Sequence, residues 1–101
     1  MFWHIVKFRF DGGVGDAQRK RCEDGVRAMP AQIPLIKFLR LERSVDEPDV
    51  TGLVMGFDDQ DAYQAYQVHP VHVPVAQEID GACSDVVRVD FVTADDPARF
   101  A

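Results

Sequence analysis

Residues 2–10 read Phe2-Trp3-His4-Ile5-Val6-Lys7-Phe8-Arg9-Phe10, and their alternation decides the fold of the whole chain. The even positions Phe2, Val6, Phe8 and Phe10 make one apolar face, with His4 as its single polar member. The odd positions Trp3, Ile5, Lys7 and Arg9 make a mixed second face. Side chains alternate across a strand, so a period of two predicts a strand with two differently employed faces. Asp11-Gly12-Gly13-Val14-Gly15 ends it; the spacing fits no phosphate-binding loop and predicts a turn. Asp16 is the expected N-cap of a helix in which Cys22, Val26 and Met29 recur at spacings of four and three. Pro30 is expected to stop that helix.

Outward from there, residues 35–43 have strand character, with Ile36 and Phe38 on one face and Leu35, Leu39 and Leu41 on the other. Residues 44–50 predict a loop. Residues 51–57 predict a third strand, with Leu53, Met55 and Phe57 opposed to Gly52, Val54 and Gly56. Asp58-Asp59 opens a second helix carrying Ala62, Tyr63, Tyr66 and His69, bounded by Pro70. Residues 71–79 predict a short further helix despite Pro74, and residues 86–93 a last strand.

The order β-α-β-β-α-β in 101 residues predicts a ferredoxin-like α+β domain. It is a four-stranded antiparallel sheet with the helices on one face. A single domain is expected over residues 1–93, followed by a C-terminal tail over 94–101. The uncovered sheet face would carry Trp3, Ile5, Val54 and residues of strands two and four. Such an apolar face predicts an interface, most simply a homodimer packed sheet on sheet. Lys7, Arg9, Arg88 and Asp90 are expected within or around it.

Seventeen acidic against eleven basic residues give a formal charge of -6. The one basic cluster, Arg19-Lys20-Arg21, is followed at once by Glu23 and Asp24, so no nucleic-acid partner is expected. No basic amphipathic helix points to a membrane surface. The longest uncharged stretch, residues 62–77, contains glutamines, histidines and prolines and predicts no membrane span. Lys7 and Arg9 argue against reading the first residues as a signal peptide. Cys22 and Cys83 form no close pair and predict reduced thiols, so a cytoplasmic location is expected.

Tyr66-Gln67-Val68-His69-Pro70-Val71-His72 carries two of the three histidines, and His4 is the third. Pro70 makes His69 a helix boundary and puts His72 in the first turn of the next helical segment. A positive helix end favours a neutral imidazole, the form that acts as a base. With the helices over the even face of the first strand, His4 would look into the space beneath His72. Two readings of the histidines stand side by side. In one they cap and pack helix ends. In the other, His72 abstracts a proton next to a carbonyl while the Tyr66 hydroxyl steadies the enolate oxygen. A His-x-x-His pair without a nearby carboxylate is weak as a metal site, so neither a metal nor a cofactor is expected.

Three segments together resemble the stress-responsive α/β-barrel (Dabb) family. They are residues 4–10, Tyr66-x-x-His69-Pro70-x-His72, and Val87-x-Val89-Asp90-Phe91, in the family's order across nearly the whole chain. The resemblance implies a dimeric α+β barrel of two ferredoxin-like subunits packed through their sheets. Activities in the family range from stress-induced proteins without a settled activity to an aldol-type polyketide cyclase. The wider barrel group includes cofactor-independent monooxygenases. By position, the resemblance implies Tyr66 as the group that orients substrate or enolate, His72 as general base and acid, and His4 as an assisting pocket residue. His69 is implied as structural. Thr51 stands where the cyclising member has a further pocket histidine, so the substrate does not carry over. The expected protein is therefore a homodimer with a small-molecule cavity: a cofactor-free enzyme of the cyclase or lyase type, or else a non-catalytic stress-associated or ligand-binding protein or a cofactor-independent monooxygenase.

Overall fold

Phe2–Phe10 forms strand β1, with every even residue buried and Lys7 exposed on the odd side. The computed structural model describes residues 1–100. Along the chain follow α1 (Asp16–Gln32), β2 (Phe38–Arg43), β3 (Val50–Phe57), α2 (Gln60–Gln67), α3 (His72–Ala82) and β4 (Cys83–Val92). A short 3-10 turn closes at Pro97–Phe100. The strands lie in the order β2-β3-β1-β4, and each neighbouring pair is antiparallel. This is the ferredoxin-like α+β arrangement that the alternation predicts. No described helix is long and apolar enough to cross a membrane.

The core lies between the even face of β1 and the helices. Val6, Phe8, Leu41, Leu53, Met55 and Phe57 from the sheet meet Cys22, Val26, Met29 and Ile33 of α1 and its end, and Tyr63, Tyr66 and Ile79 from α2 and α3. Met29, Ile33, Met55 and Phe57 are at most 1% exposed. Each such side chain gains about 1.5–3 kcal/mol from leaving water.

Several boundaries differ from the sequence expectation. Pro30 lies inside α1, which runs on to Gln32 before Ile33 N–H closes on the Met29 carbonyl at 2.8 Å. A proline so near the end removes one helix hydrogen bond, and the buried Met29 and Ile33 hold the last turn in place. The helix is preceded by Gly15, and Asp16 is its first residue rather than its cap. β2 begins only at Phe38, because Pro34 and Leu35 form a turn closed by Ile36 N–H to the Ile33 carbonyl at 3.1 Å. At the other end, α3 extends to Ala82 and passes directly into β4.

The bare face is as apolar as expected in its centre. Val87, Val89 and Phe91 of β4 are 52%, 55% and 43% exposed, and they lie in register with Lys7, Ile5 and Trp3. Trp3 itself is half covered by the chain's own end. Phe100 packs edge-on against Trp3 at 5.4 Å and against Phe38 at 5.5 Å, and the Trp3 indole donates to Thr93 Oγ1 at 2.8 Å. Gly56, opposite Trp3, leaves the room in which Trp3 and Phe38 meet.

The expected charge grouping on this face is corrected. Arg88 pairs in register with Val6 and Asp90 with His4, so both lie on the helix side, where Val6 and His4 are buried. Parity along β4 separates them from Val87 and Val89, but only the register with β1 says which set faces the helices. Lys7 and Arg9 remain on the other side, bound to Glu47 at 3.3 and 2.7 Å, with Arg9 also reaching Asp49 at 2.9 Å.

Under the first half of α1 sits a charge cluster centred on the buried Glu23. Arg43 grips Glu23 at 2.8 Å and Asp16 at 3.1 Å, and Thr51 donates to Glu23 Oε2 at 2.8 Å. Arg19 donates to the carbonyls of Pro48 and Val50 and to Thr51 Oγ1. Burial pushes the Glu23 carboxyl up, but the hydrogen bonds from Arg43 and Thr51 and the two guanidinium charges outweigh it, and its pKa lies below the ordinary value. Thr51 belongs to this cluster and does not line the cavity described below.

Candidate active site

The polar residues singled out in the sequence converge because α2 ends and α3 begins above the His4 end of β1. Asp59 caps α2 by accepting Ala62 N–H at 2.8 Å, and the helix buries Tyr63 and Tyr66 on its sheet-facing side. The turn that follows is built around His69. Its ring Nδ1 accepts Val71 N–H at 3.1 Å, and its carbonyl accepts from His72 N–H at 3.0 Å and Val73 N–H at 3.1 Å. His69 thus shapes the turn and does not line the cavity below it. Pro74 is tolerated because it lies in the first turn of α3, where a helix needs no internal N–H donor.

Beneath the turn lies a cavity of about 200 Å³. His4, Tyr66 and His72 all line it, together with Tyr63, Gln67, Asp80 and Arg88 and an apolar floor of Val6, Phe8, Met29 and Leu53. It is small beside ligand sites of roughly 300–1,000 Å³ and fits a compact molecule.

The ring geometry assigns the protons. His72 Nδ1 lies 3.0 Å from the Gln67 backbone carbonyl. A carbonyl only accepts, so Nδ1 carries a proton, and in the neutral ring the lone pair is on Nε2. His4 repeats the pattern with a carboxylate, its Nδ1 lying 2.6 Å from Asp90 Oδ1. Burial lowers the His4 pKa below 6.5, and the charges of Arg88 and His72 add to this; Asp90 opposes it without prevailing. His4 is therefore neutral at pH 7, donating to Asp90 and leaving its own Nε2 free.

Tyr66 stacks at a tilt on His72, with ring centroids 4.1 Å apart. It is 3% exposed, and burial pushes its phenol well above the ordinary value, so it stays a donor. Among the described residues no protein group hydrogen-bonds its hydroxyl. Tyr63 bridges the other side: its ring lies 4.9 Å from that of His4, and its hydroxyl accepts from Gln67 at 3.1 Å.

Asp90, Tyr63, Gln67 and Arg88 escaped assignment from sequence. Asp90 stands in the motif that carries the family resemblance, but its partner is set by strand register. Tyr63 shows only helical spacing, which a core residue shows equally. No group of three or more His, Cys, Asp or Glu among the described residues is arranged to hold a metal ion.

The family model of the Stress responsive A/B Barrel Domain (Dabb) matches residues 2–93. A dimeric ferredoxin-like protein of unknown function from Thermobifida fusca superimposes with a TM-score of 0.81 at 26% identity, covering 91% of this chain and 90% of that one. A Dabb family protein from Mesorhizobium loti gives 0.76 at 24% identity, covering 93% and 97%. A hydroxynitrile lyase from Passiflora edulis gives 0.83 at 14% identity, covering 95% and 96%, a likeness of fold alone. No protein of curated function matches the sequence.

Proposed function

Since the chain belongs to the stress-responsive A/B barrel (Dabb) family, we propose that it binds a small carbonyl compound and moves a proton next to the carbonyl, as a cofactor-free cyclase or lyase. The observation that carries this reading is the pair of imidazoles whose Nδ1 atoms are pinned by acceptors, which leaves both Nε2 atoms basic inside one cavity. His72 Nε2 takes a proton from the carbon beside the carbonyl. The C–H electron pair moves into a carbon–carbon double bond, and the carbonyl oxygen becomes an enolate oxygen. Tyr66 Oη–H, having no protein acceptor, donates to that oxygen. The protonated His72 returns the proton, either to carbon or to the oxygen of a second carbonyl that the enolate carbon has attacked. His4, held by Asp90, is the assisting group in the pocket. The alternative is a binding protein of the same family that uses this cavity without turnover.

The working unit of this reading is a cytoplasmic homodimer closed over the bare sheet face. The exposed strip of Val87, Val89 and Phe91 supports it, as does the dimeric description of the Thermobifida relative.

The test is exchange of carbonyl-adjacent protons with D2O, followed by NMR, for a panel of β-keto, aromatic-keto and polyketide-like compounds. His72→Ala is expected to slow exchange on any active compound by about 10²–10⁴-fold, with melting temperature and dimer mass retained. If exchange is absent throughout the panel, or survives His72→Ala, the binding reading replaces the enzyme.

A further inference from the structure

We infer that Arg88 holds the anionic end of the ligand, which makes the substrate class a carbonyl compound bearing a carboxylate; this rests on the cavity reading above. Arg88 projects from the helix side of β4, opposite Val6 and one alternation from Asp90. It lines the cavity of His4, Tyr66 and His72 and also the adjoining cleft along α2 and β4. Tyr63 and Gln67 form the divide with it.

What sets Arg88 apart is the lack of a counter-ion. The chain holds seventeen acidic residues against eleven basic ones, and three of the other four strand cations have acidic partners, while Arg40, on the bare face, is held by the Leu39 carbonyl and the Phe38 ring. Arg9 takes Glu47 and Asp49, Lys7 takes Glu47, and Arg43 takes Glu23 and Asp16. Arg88 forms no ion pair among the described residues. Asp90, its neighbour on the same face, bonds His4 at 2.6 Å, and the Tyr63 hydroxyl, which accepts from Gln67, is the neutral oxygen within reach of Arg88. Asp80 lines the first cavity and Asp90 the cleft, and Arg88 is the one arginine or lysine that lines either. A guanidinium fork beside a largely apolar cavity matches a carboxylate in shape and charge. A ligand anchored there would lay its carbonyl toward Tyr66 and His72.

The probe pair is 3-benzoylpropanoate and its methyl ester, which share the ketone and differ in charge. Calorimetric titration on the full chain is expected to show the acid binding at least tenfold more tightly than the ester. Arg88→Leu is expected to erase that preference while ester affinity stays within about twofold, and Arg88→Lys to keep part of it. An acid preference unchanged in Arg88→Leu overturns the inference, as does failure of both probes to bind at millimolar concentration. Proton exchange on the same samples separates the two readings. Exchange lost in His72→Ala but indifferent to Arg88→Leu leaves the enzyme standing without this anchor. Arg88-dependent acid binding without exchange leaves the anchor in a binding protein.

Discussion

Two polar clusters lie under the same helices, on the same face of the same sheet, and they are finished to different degrees. Around Glu23, the oxygens meet Arg43 and Thr51, and Arg19 spends its terminal nitrogens on two carbonyls and Thr51. Only Arg19 Nε is left over, 3.7 Å from Glu23 Oε2, at ion-pair distance but beyond a hydrogen bond. Around His4 and His72 each ring has one nitrogen pinned and one free, and the Tyr66 hydroxyl is free as well. Arg19 Nε is the one buried side-chain polar atom without a partner among the described residues, so the free atoms at the cavity are not sealed from solvent. The Glu23 cluster is closed on itself, with its acceptors spent on protein donors. An unsaturated one around a cavity is what a ligand would complete.

The largest effect that would break this contrast belongs to the Glu23 cluster. Glu23→Ala removes the acceptor shared by Arg43 and the Thr51 hydroxyl and the nearby counter-charge of Arg19, and is expected to cost about 1–3 kcal/mol in urea unfolding. A loss under about 1 kcal/mol would mean the cluster is solvated and the contrast false. Tyr66→Phe is the counterpart on the open side. It breaks no protein hydrogen bond, so stability should stay within about 0.5 kcal/mol, while proton exchange falls by about 10–100-fold. A large drop in melting temperature with unchanged exchange would make Tyr66 a core residue only.

The finest test is acid titration. The folded-state pKa of His4 lies below 6.5, so the unfolded chain binds the proton more readily. The stability this contributes is present above about pH 6.5 and is lost as pH falls toward the folded value. Asp90, Arg88, His72 and Tyr63 face His4 and set the balance. Glu23 is also depressed, from 4.5, so its contribution is present above that pH and lost only in stronger acid. Melting temperatures should therefore decline in two stages, and His4→Gln should remove the first stage alone. A single decline, or a first stage that survives His4→Gln, would show that His4 is not buried neutral.

Much of this was legible without coordinates, for identifiable reasons. The alternation of Phe2–Phe10 names its buried face, and the glycines and prolines punctuate the elements closely enough to order them. That Tyr66, His72 and His4 share one cavity was legible because two lie around a helix break and the third interrupts an apolar face. Pro30 misled because local chemistry disfavours a proline in a helix, whereas the packing of Met29 and Ile33 retains the last turn. Arg88 and Asp90 misled because alternation divides a strand into two sets without saying which set faces inward.

By itself, then, the sequence determined the elements, their order and the side on which β1 is apolar, since those follow from short-range periodicity. The pairing of His4 with Asp90, the isolation of Arg88 and the saturation of Glu23 were decided only by the tertiary structure. The two pairings join residues eighty-six and twenty positions apart. Register and helix placement, which no local pattern encodes, bring them within bonding distance.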